Sequence, residues 1–138
     1  MIKRLLRVAS ETSQVSKVRE IFLADMGKCC LSPETLFSIR LCLEEALINA
    51  ITHGNKRDAA KKVSVQWTVS LKKIRVCIRD EGAGFQYRRV PSPVKKERLL
   101  FQSGRGLFII KKMMDEVTFN RKGNAITFSK YLTAAHTA

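Results

Sequence analysis

Two neighbouring stretches alternate strictly between apolar and polar residues. From Lys62 to Ser70, Val63, Val65, Trp67 and Val69 fall on one side of an extended chain, and Ser64, Gln66 and Thr68 on the other. Ile74, Val76 and Ile78 repeat the same period. Leu71-Lys72-Lys73 lies between them as a turn, so the pair predicts an antiparallel hairpin with one apolar face. An apolar sheet face has to be covered, and the helical segments on either side can do that.

Thr12 to Lys28 places Val15, Val18, Phe22 and Met26 at helical spacing. Ser32-Pro33-Glu34 opens a second helix: serine suits the N-cap, proline the first turn, and glutamate the positive helix end. This helix should run to about His53 and end at Gly54-Asn55. Gly104-Arg105-Gly106 opens a third, Leu107 to about Met114. Further strands are expected at Arg4 to Val8 and in a last hairpin, Val117 to Arg121 and Ala125 to Tyr131, around Lys122-Gly123-Asn124. The expected fold class is α+β: a two-layer sandwich with helices on one face of a mixed, mostly antiparallel sheet.

A chain of 138 residues, 45% hydrophobic, can bury one core, and it reads as one domain over 1–138. Gln86 to Ser103 is basic, holds Pro91 and Pro93 and lacks periodicity, which fits a functional lid. Thr133 to Ala138 is expected to be a frayed tail. No apolar run approaches the ~20 residues that span a bilayer, so no membrane partner is expected. Cys29, Cys30, Cys42 and Cys77 form no CxxC pair and have no histidine at zinc spacing. Free thiols in a reducing cytoplasm are the plain expectation. The net charge of +14 attracts nucleic acid, anionic membrane, acidic proteins or phosphate-rich ligands, and charge alone does not choose among them. The basic pairs sit mostly at element ends and loops, as an ordinary solvated surface would have them.

Three short stretches carry chemistry. The second helix contains CLEEALINAITHGN from Cys42 to Asn55. At ~100° per residue, Leu36, Ile39, Leu43, Leu47 and Ala50 gather on one side, while Glu45 and Asn49 fall roughly opposite, within ~40° of each other. An exposed polar face is the bland reading of that pair, but Ala46 and Ile48 flank it. A carboxylate beside an amide oxygen suits a hydrated Mg²⁺ ion, and a carboxylate there can also act as a general base. His53 reads as a packed or capping residue. The second stretch is DEGAGF: Asp80 ends a buried strand, where a carboxylate can accept a hydrogen bond from an exocyclic amine such as adenine's. Gly82 and Gly84 allow close backbone approach or positive φ. The third is SGRGLFII, where glycines at a helix start expose N–H groups to phosphate. DxGxGF and GxG are each weak signals alone, and no Walker A pattern is present.

Together, and in this order, the three stretches resemble the GHKL ATPase superfamily of gyrase, heat-shock chaperone, histidine kinase and mismatch-repair ATPases. EALINAITHGN looks like its N box, DEGAGF its first glycine box and SGRGLFII its second. Small size, the N-terminal strand and helix, and the ending GNAITFSKYL are similar to the stand-alone bacterial anti-sigma factors, which are serine/threonine-protein kinases. The resemblance implies ATP and Mg²⁺ as cofactors. Asn49 would hold the Mg²⁺ and Glu45 would be the base. Asp80 would bind the adenine amine between Gly82 and Gly84, and Gly104, Arg105 and Gly106 would lie at the phosphates. Lys95, Lys96 or Arg98 of the lid could neutralise phosphate charge. The implied partners are a sigma factor and an anti-anti-sigma STAS-domain protein, with a homodimer as the assembly. The family often carries a threonine pair in its last hairpin, where Asn124 and Ala125 stand here.

Three functions compete on this reading. The first is a regulatory kinase acting on the STAS partner. The second is an ATP-gated binding module that transfers nothing. The third is a small nucleic-acid-binding domain, which calls for aromatics interleaved on a basic strand face. Aromatics are few, and Trp67 and Phe85 sit in apolar or motif settings, so nucleic acid is the least favoured partner.

Overall fold

The computed structural model describes residues 1–82 and 105–132. The lid at 86–103, Gly84, Gly104 and the tail therefore lie outside the described residues.

Five strands form one sheet in the order β1-β2-β3-β5-β4, and each described pairing is antiparallel. They are β1 (Ile2–Ala9), β2 (Lys62–Val69), β3 (Lys73–Arg79), β4 (Glu116–Phe119) and β5 (Ala125–Tyr131). The register follows from the period of two: Val65 stands opposite Ile78, Trp67 opposite Val76, and Val76 opposite Phe128. A slip of one residue would turn these side chains to solvent. The helices α1 (Gln14–Met26), α2 (Pro33–Asn49) and α3 (Arg105–Met113) cover this apolar face. Val18, Phe22, Ile39, Leu43, Leu47 and Ile110 pack from the helix side and are fully or almost fully buried.

Local rules set the helix ends. Ser32 accepts the Thr35 N–H at 3.1 Å, with Pro33 in the first turn, as the sequence leads one to expect. At the other end, α2 passes into a single π turn over Ala50–Gly54, with Asn55 N–H donating to Ala50 C=O at 2.8 Å. Gly54 does not stop the helix by adopting left-handed backbone; that conformation falls on Lys56 and Arg57, at φ 51° and 58°. Lys130 sits on the core side of β5, opposite Ile74, and its Nζ donates to Met113 C=O at 3.0 Å, capping the C-terminus of α3.

One partly buried ion cluster ties α1 to the sheet. Arg4 stands on the inner face of β1, directly opposite Trp67. Its guanidinium grips Asp25 of α1 with two hydrogen bonds, 3.0 and 2.8 Å, and Trp67 Nε1–H donates to the same carboxylate at 3.0 Å. Phe22 packs edge-on against the Trp67 ring, centroids 5.2 Å apart. Asp25 is 2% exposed, and a carboxylate so buried needs these partners. The Arg4 hydrogen bonds hold the Asp25 carboxyl below its usual range against the opposing effect of burial.

A lowered folded pKa stabilises above the ordinary carboxylate value, and the contribution is lost as pH falls through the folded value. Arg4→Gln should therefore lower Tm most at neutral pH, and the gap to wild type should narrow as pH drops below ~4, the ordinary carboxylate range. Thermal unfolding followed by circular dichroism across pH reads this directly; a gap that does not change with pH would rule out the ionic origin.

Candidate nucleotide site

Asp80 lies two residues beyond Ile78, so the alternation that buries Ile74, Val76 and Ile78 also turns the Asp80 side chain inward. It emerges beneath the C-terminal end of α2. The residue is 8% exposed, and burial pushes its carboxyl up from the usual value, opposed by the Gly82 N–H and by nearby Lys122 and Lys61. Oδ1 accepts the Gly82 N–H at 2.7 Å.

Two glycines make room for this carboxylate. A Cβ on Gly54 would collide with Oδ2 of Asp80, and one on Gly82 would collide with the Gly54 carbonyl oxygen and crowd Oδ1 at 2.8 Å. Neither glycine has positive φ, so space and not backbone conformation requires them. Gly82 thus lies in close approach to the Gly54 backbone and the Asp80 carboxylate. Gly54 had been read only as a helix stop, although the run HGN at the end of an apolar helix is its sequence signal.

The backbone around Asp80 is clamped from both sides. Asn124 Nδ2 donates to Asp80 C=O at 2.9 Å, and Asp80 N–H donates to Asn124 C=O at 2.9 Å. Asn120 Oδ1 in turn accepts the N–H groups of Gly123, Asn124 and Ala125 at 2.9 to 3.1 Å. Asn124 therefore supports the strand end through its amide. On the other side, Asn55 is 1% exposed and joins four segments: its Nδ2 donates to Ser10 Oγ and Lys62 C=O at 2.8 and 2.9 Å, and its Oδ1 accepts the Glu81 N–H at 2.7 Å. Nothing in the sequence marked Asn55 or Asn120 for these roles, because their partners are distant in the chain.

Asp80 lines a small solvent-open cleft between α2 and the β3/β5 end of the sheet. Ala46, Asn49 and Ala50 form the helix wall, and Ile78, Phe119 and Ile126 supply apolar surface. The small side chains at 46 and 50, one turn apart, leave the gap. Asn49 is therefore not opposite the buried arc of α2, as the helical wheel suggested, but on its border. Of the residues expected to flank the polar pair, Ala46 is buried and Ile48 is 42% exposed.

Glu45 sits one turn before Asn49, half-buried, and Arg105 at the start of α3 reaches its Oε1 at 3.4 Å. Gly106 follows, buried. Glu44 is otherwise engaged: its Oε1 takes Arg19 of α1 at 3.1 Å and Arg40 at 3.4 Å. Packing thus directs Glu44 toward α1 and leaves Glu45 on the side of Asn49 and Arg105. An acceptor carboxylate in an apolar slot can bind an amine donor, and an amide and a carboxylate at its mouth are oxygen ligands that suit a hard cation. No group of three or more His, Cys, Asp or Glu among the described residues could hold a metal by itself. Mg²⁺ usually keeps waters and phosphate oxygens beside one or two protein ligands, so the Asn49 amide fits that ion.

Comparison with known proteins agrees with this arrangement. A model of the histidine kinase-like ATPase domain matches residues 8–130. Serine-protein kinase RsbW from Staphylococcus aureus, in strains bovine RF122 / ET3-1 and MRSA252, is 27% identical over 135 residues, covering 92% of this chain and 85% of the relative. The crystal structure of the RsbU and RsbW domains of Rv1364c from Mycobacterium tuberculosis superposes with a TM-score of 0.66 at 12% identity. That match covers 100% of this chain and 35% of the other, so this chain spans about a third of that protein, and the likeness is one of fold. With the sheet, the glycine-lined aspartate and the match over 8–130 taken together, the chain belongs to the histidine kinase-like ATPase domain family.

Proposed function

We propose that the chain is an ATP-binding anti-sigma regulatory factor that phosphorylates a serine or threonine on an anti-anti-sigma STAS-domain partner and sequesters a sigma factor. The carrying observation is the Asp80 carboxylate, buried against Gly54 and Gly82 in an open pocket that also receives Asn49. The 27% identity to relatives named serine-protein kinase supports the reaction class. No helix of the described residues is long and apolar enough to cross a membrane, and the four cysteines are free, which supports action in the cytoplasm. A homodimer is part of the same proposal.

Each residue then has a task. Asp80 accepts the exocyclic amine of adenine, and the glycines let the base approach. Asn49 offers its amide oxygen to Mg²⁺. Glu45, one turn away, takes the proton of the acceptor hydroxyl as that oxygen bonds to the γ-phosphorus and the bond to the β-phosphate oxygen breaks, leaving ADP. Arg105 and Gly106, at the start of α3, take the phosphate side in this proposal. Bound Mg-ATP supplies the phosphoryl group, and its metal offsets the developing charge.

One observation favours a second reading. The Glu45 carboxylate is already held by Arg105, and a base kept in that pair would leave an ATP-gated binding module without transfer.

Transfer of γ-labelled phosphate to a STAS-domain partner from the same genome separates the two. Glu45→Gln should lower transfer by ~10²–10⁴-fold while ATP still binds, as loss of a general base does. Asn49→Ala should weaken Mg-ATP binding itself. Equal transfer by wild type and Glu45→Gln would remove Glu45 from its role, and ATP binding without transfer to any partner would put the binding module ahead. Gly54→Ala tests the pocket: the added Cβ would displace the Asp80 carboxylate, so ATP affinity should fall at least tenfold in a variant that circular dichroism shows to be folded. An Asn55→Ala variant should behave differently, costing about 1–3 kcal/mol of stability in denaturant titration by leaving buried groups unpaired.

A further inference from the structure

All described helices lie on one side of the sheet, and among the described residues no element covers the other face. The register fixes what that face presents. Lys3, Thr68 and Arg75 form one row across β1, β2 and β3. Leu5, Gln66 and Cys77 form the next, and Arg7, Ser64 and Arg79 the third. Two basic rows therefore flank a neutral one. Four residues separate Lys3 from Arg7 and Arg75 from Arg79, so the basic rows stand ~13 Å apart, and the two cations within a row are ~10 Å apart across two strand spacings.

All four cationic residues are exposed, and among the described residues Lys3, Arg75 and Arg79 have no acidic partner. Arg7 meets the exposed Glu81 at 3.3 Å. The nearest carboxylate on the open strands, Glu116, lies two strands beyond Arg75 and pairs with Lys73 at 3.9 Å. Gln66 and Cys77 of the neutral row, with Thr68 and Arg75 beside them, line a solvent-open depression with part of Trp67 at its floor. Leu5 adds an exposed apolar side chain, 64% accessible, to the neutral row.

We propose that this open sheet face is a docking surface for an acidic protein, whose carboxylates meet Lys3, Arg7, Arg75 and Arg79 and whose uncharged side chains settle between the rows. Charge complementarity selects the occupant. A second copy would bring four like charges against four, which is unfavourable without intervening carboxylates. A single-stranded nucleic acid would call for several aromatic platforms, and the cation-framed area holds none: Trp67 turns its ring into the core, and Tyr131 lies outside the frame, opposite Lys73. The surface is on the opposite side of the sheet from the Asp80 pocket, so a partner can sit there without covering the nucleotide. The inference rests on register and charge and stands whether or not the chain is a kinase.

The test uses the full chain and a fluorescent peptide of alternating glutamate and threonine. Binding should weaken at least ~10-fold in Arg75→Glu/Arg79→Glu and by less in Arg75→Gln/Arg79→Gln, and it should fall steeply with salt. Lys17→Glu/Lys56→Glu changes net charge equally at exposed sites elsewhere and should leave most of the binding. Bound peptide should also shield Cys77, but not Cys30, from alkylation read by peptide mass mapping, which needs no variant to fold. Equal loss in both charge-reversal variants, or undiminished Cys77 labelling, would overturn the proposal. So would tight single-stranded nucleic acid binding that depends on Arg75 and Arg79, or self-association lost on reversing them.

Discussion

A buried carboxylate at the end of an inner strand is costly unless something answers its charge. In this chain the answer at Asp80 is partial: one oxygen has the Gly82 N–H, and the other lies against Gly54 beside an open pocket. Much of the surrounding architecture serves that placement. The alternation of β3 aims the side chain, the π turn brings Gly54 against it, and Asn55 and Asn124 fix the backbone on either side. The cost of burial raises the Asp80 carboxyl while leaving it available to a donor from outside. A site built this way is ready for a ligand that carries an amine into an apolar slot.

The same sheet has two faces with opposite jobs. Its inner face is so apolar that the charged residues directed into it have to be tied down, as Arg4 is by Asp25 and Lys130 by the end of α3. Its outer face is polar and basic, and no described element covers it. Net charge alone left the partner undecided, since most basic residues looked like ordinary solvated surface. Strand register changes that for four of them, because it converts scattered positions into two rows.

Period-two alternation made β2 and β3 legible in the sequence, and the Ser32-Pro33-Glu34 cap made the start of α2 legible, because both signals are local. The order of elements and the one-sided helical layer followed from them. Glu45, Asn49 and Asp80 were legible because their type and spacing imply a chemistry and resemble a known set of motifs. The rest depended on contacts distant in sequence. Gly54 carries its meaning through Asp80, 26 positions later in the numbering, and Asn55 through Ser10, Lys62 and Glu81. Helical-wheel geometry misplaced Asn49 because it assumed one narrow buried face, whereas α2 is flanked by α1 and α3 and buries a broad arc. Asn124 likewise acts at a distance, its amide holding the Asp80 backbone 44 positions away.

The claim that Asp80 reads an exocyclic amine is the centre of this account, and base discrimination tests it most directly. Calorimetric titration of the wild-type chain with Mg-ATP and with Mg-GTP compares an amine with a carbonyl at the same place on the purine while holding the phosphates constant. The account predicts saturable binding of ATP and at least tenfold weaker binding of GTP, whose carbonyl would meet the carboxylate of Asp80. Equal affinity for the two nucleotides, or no binding of either, would contradict it.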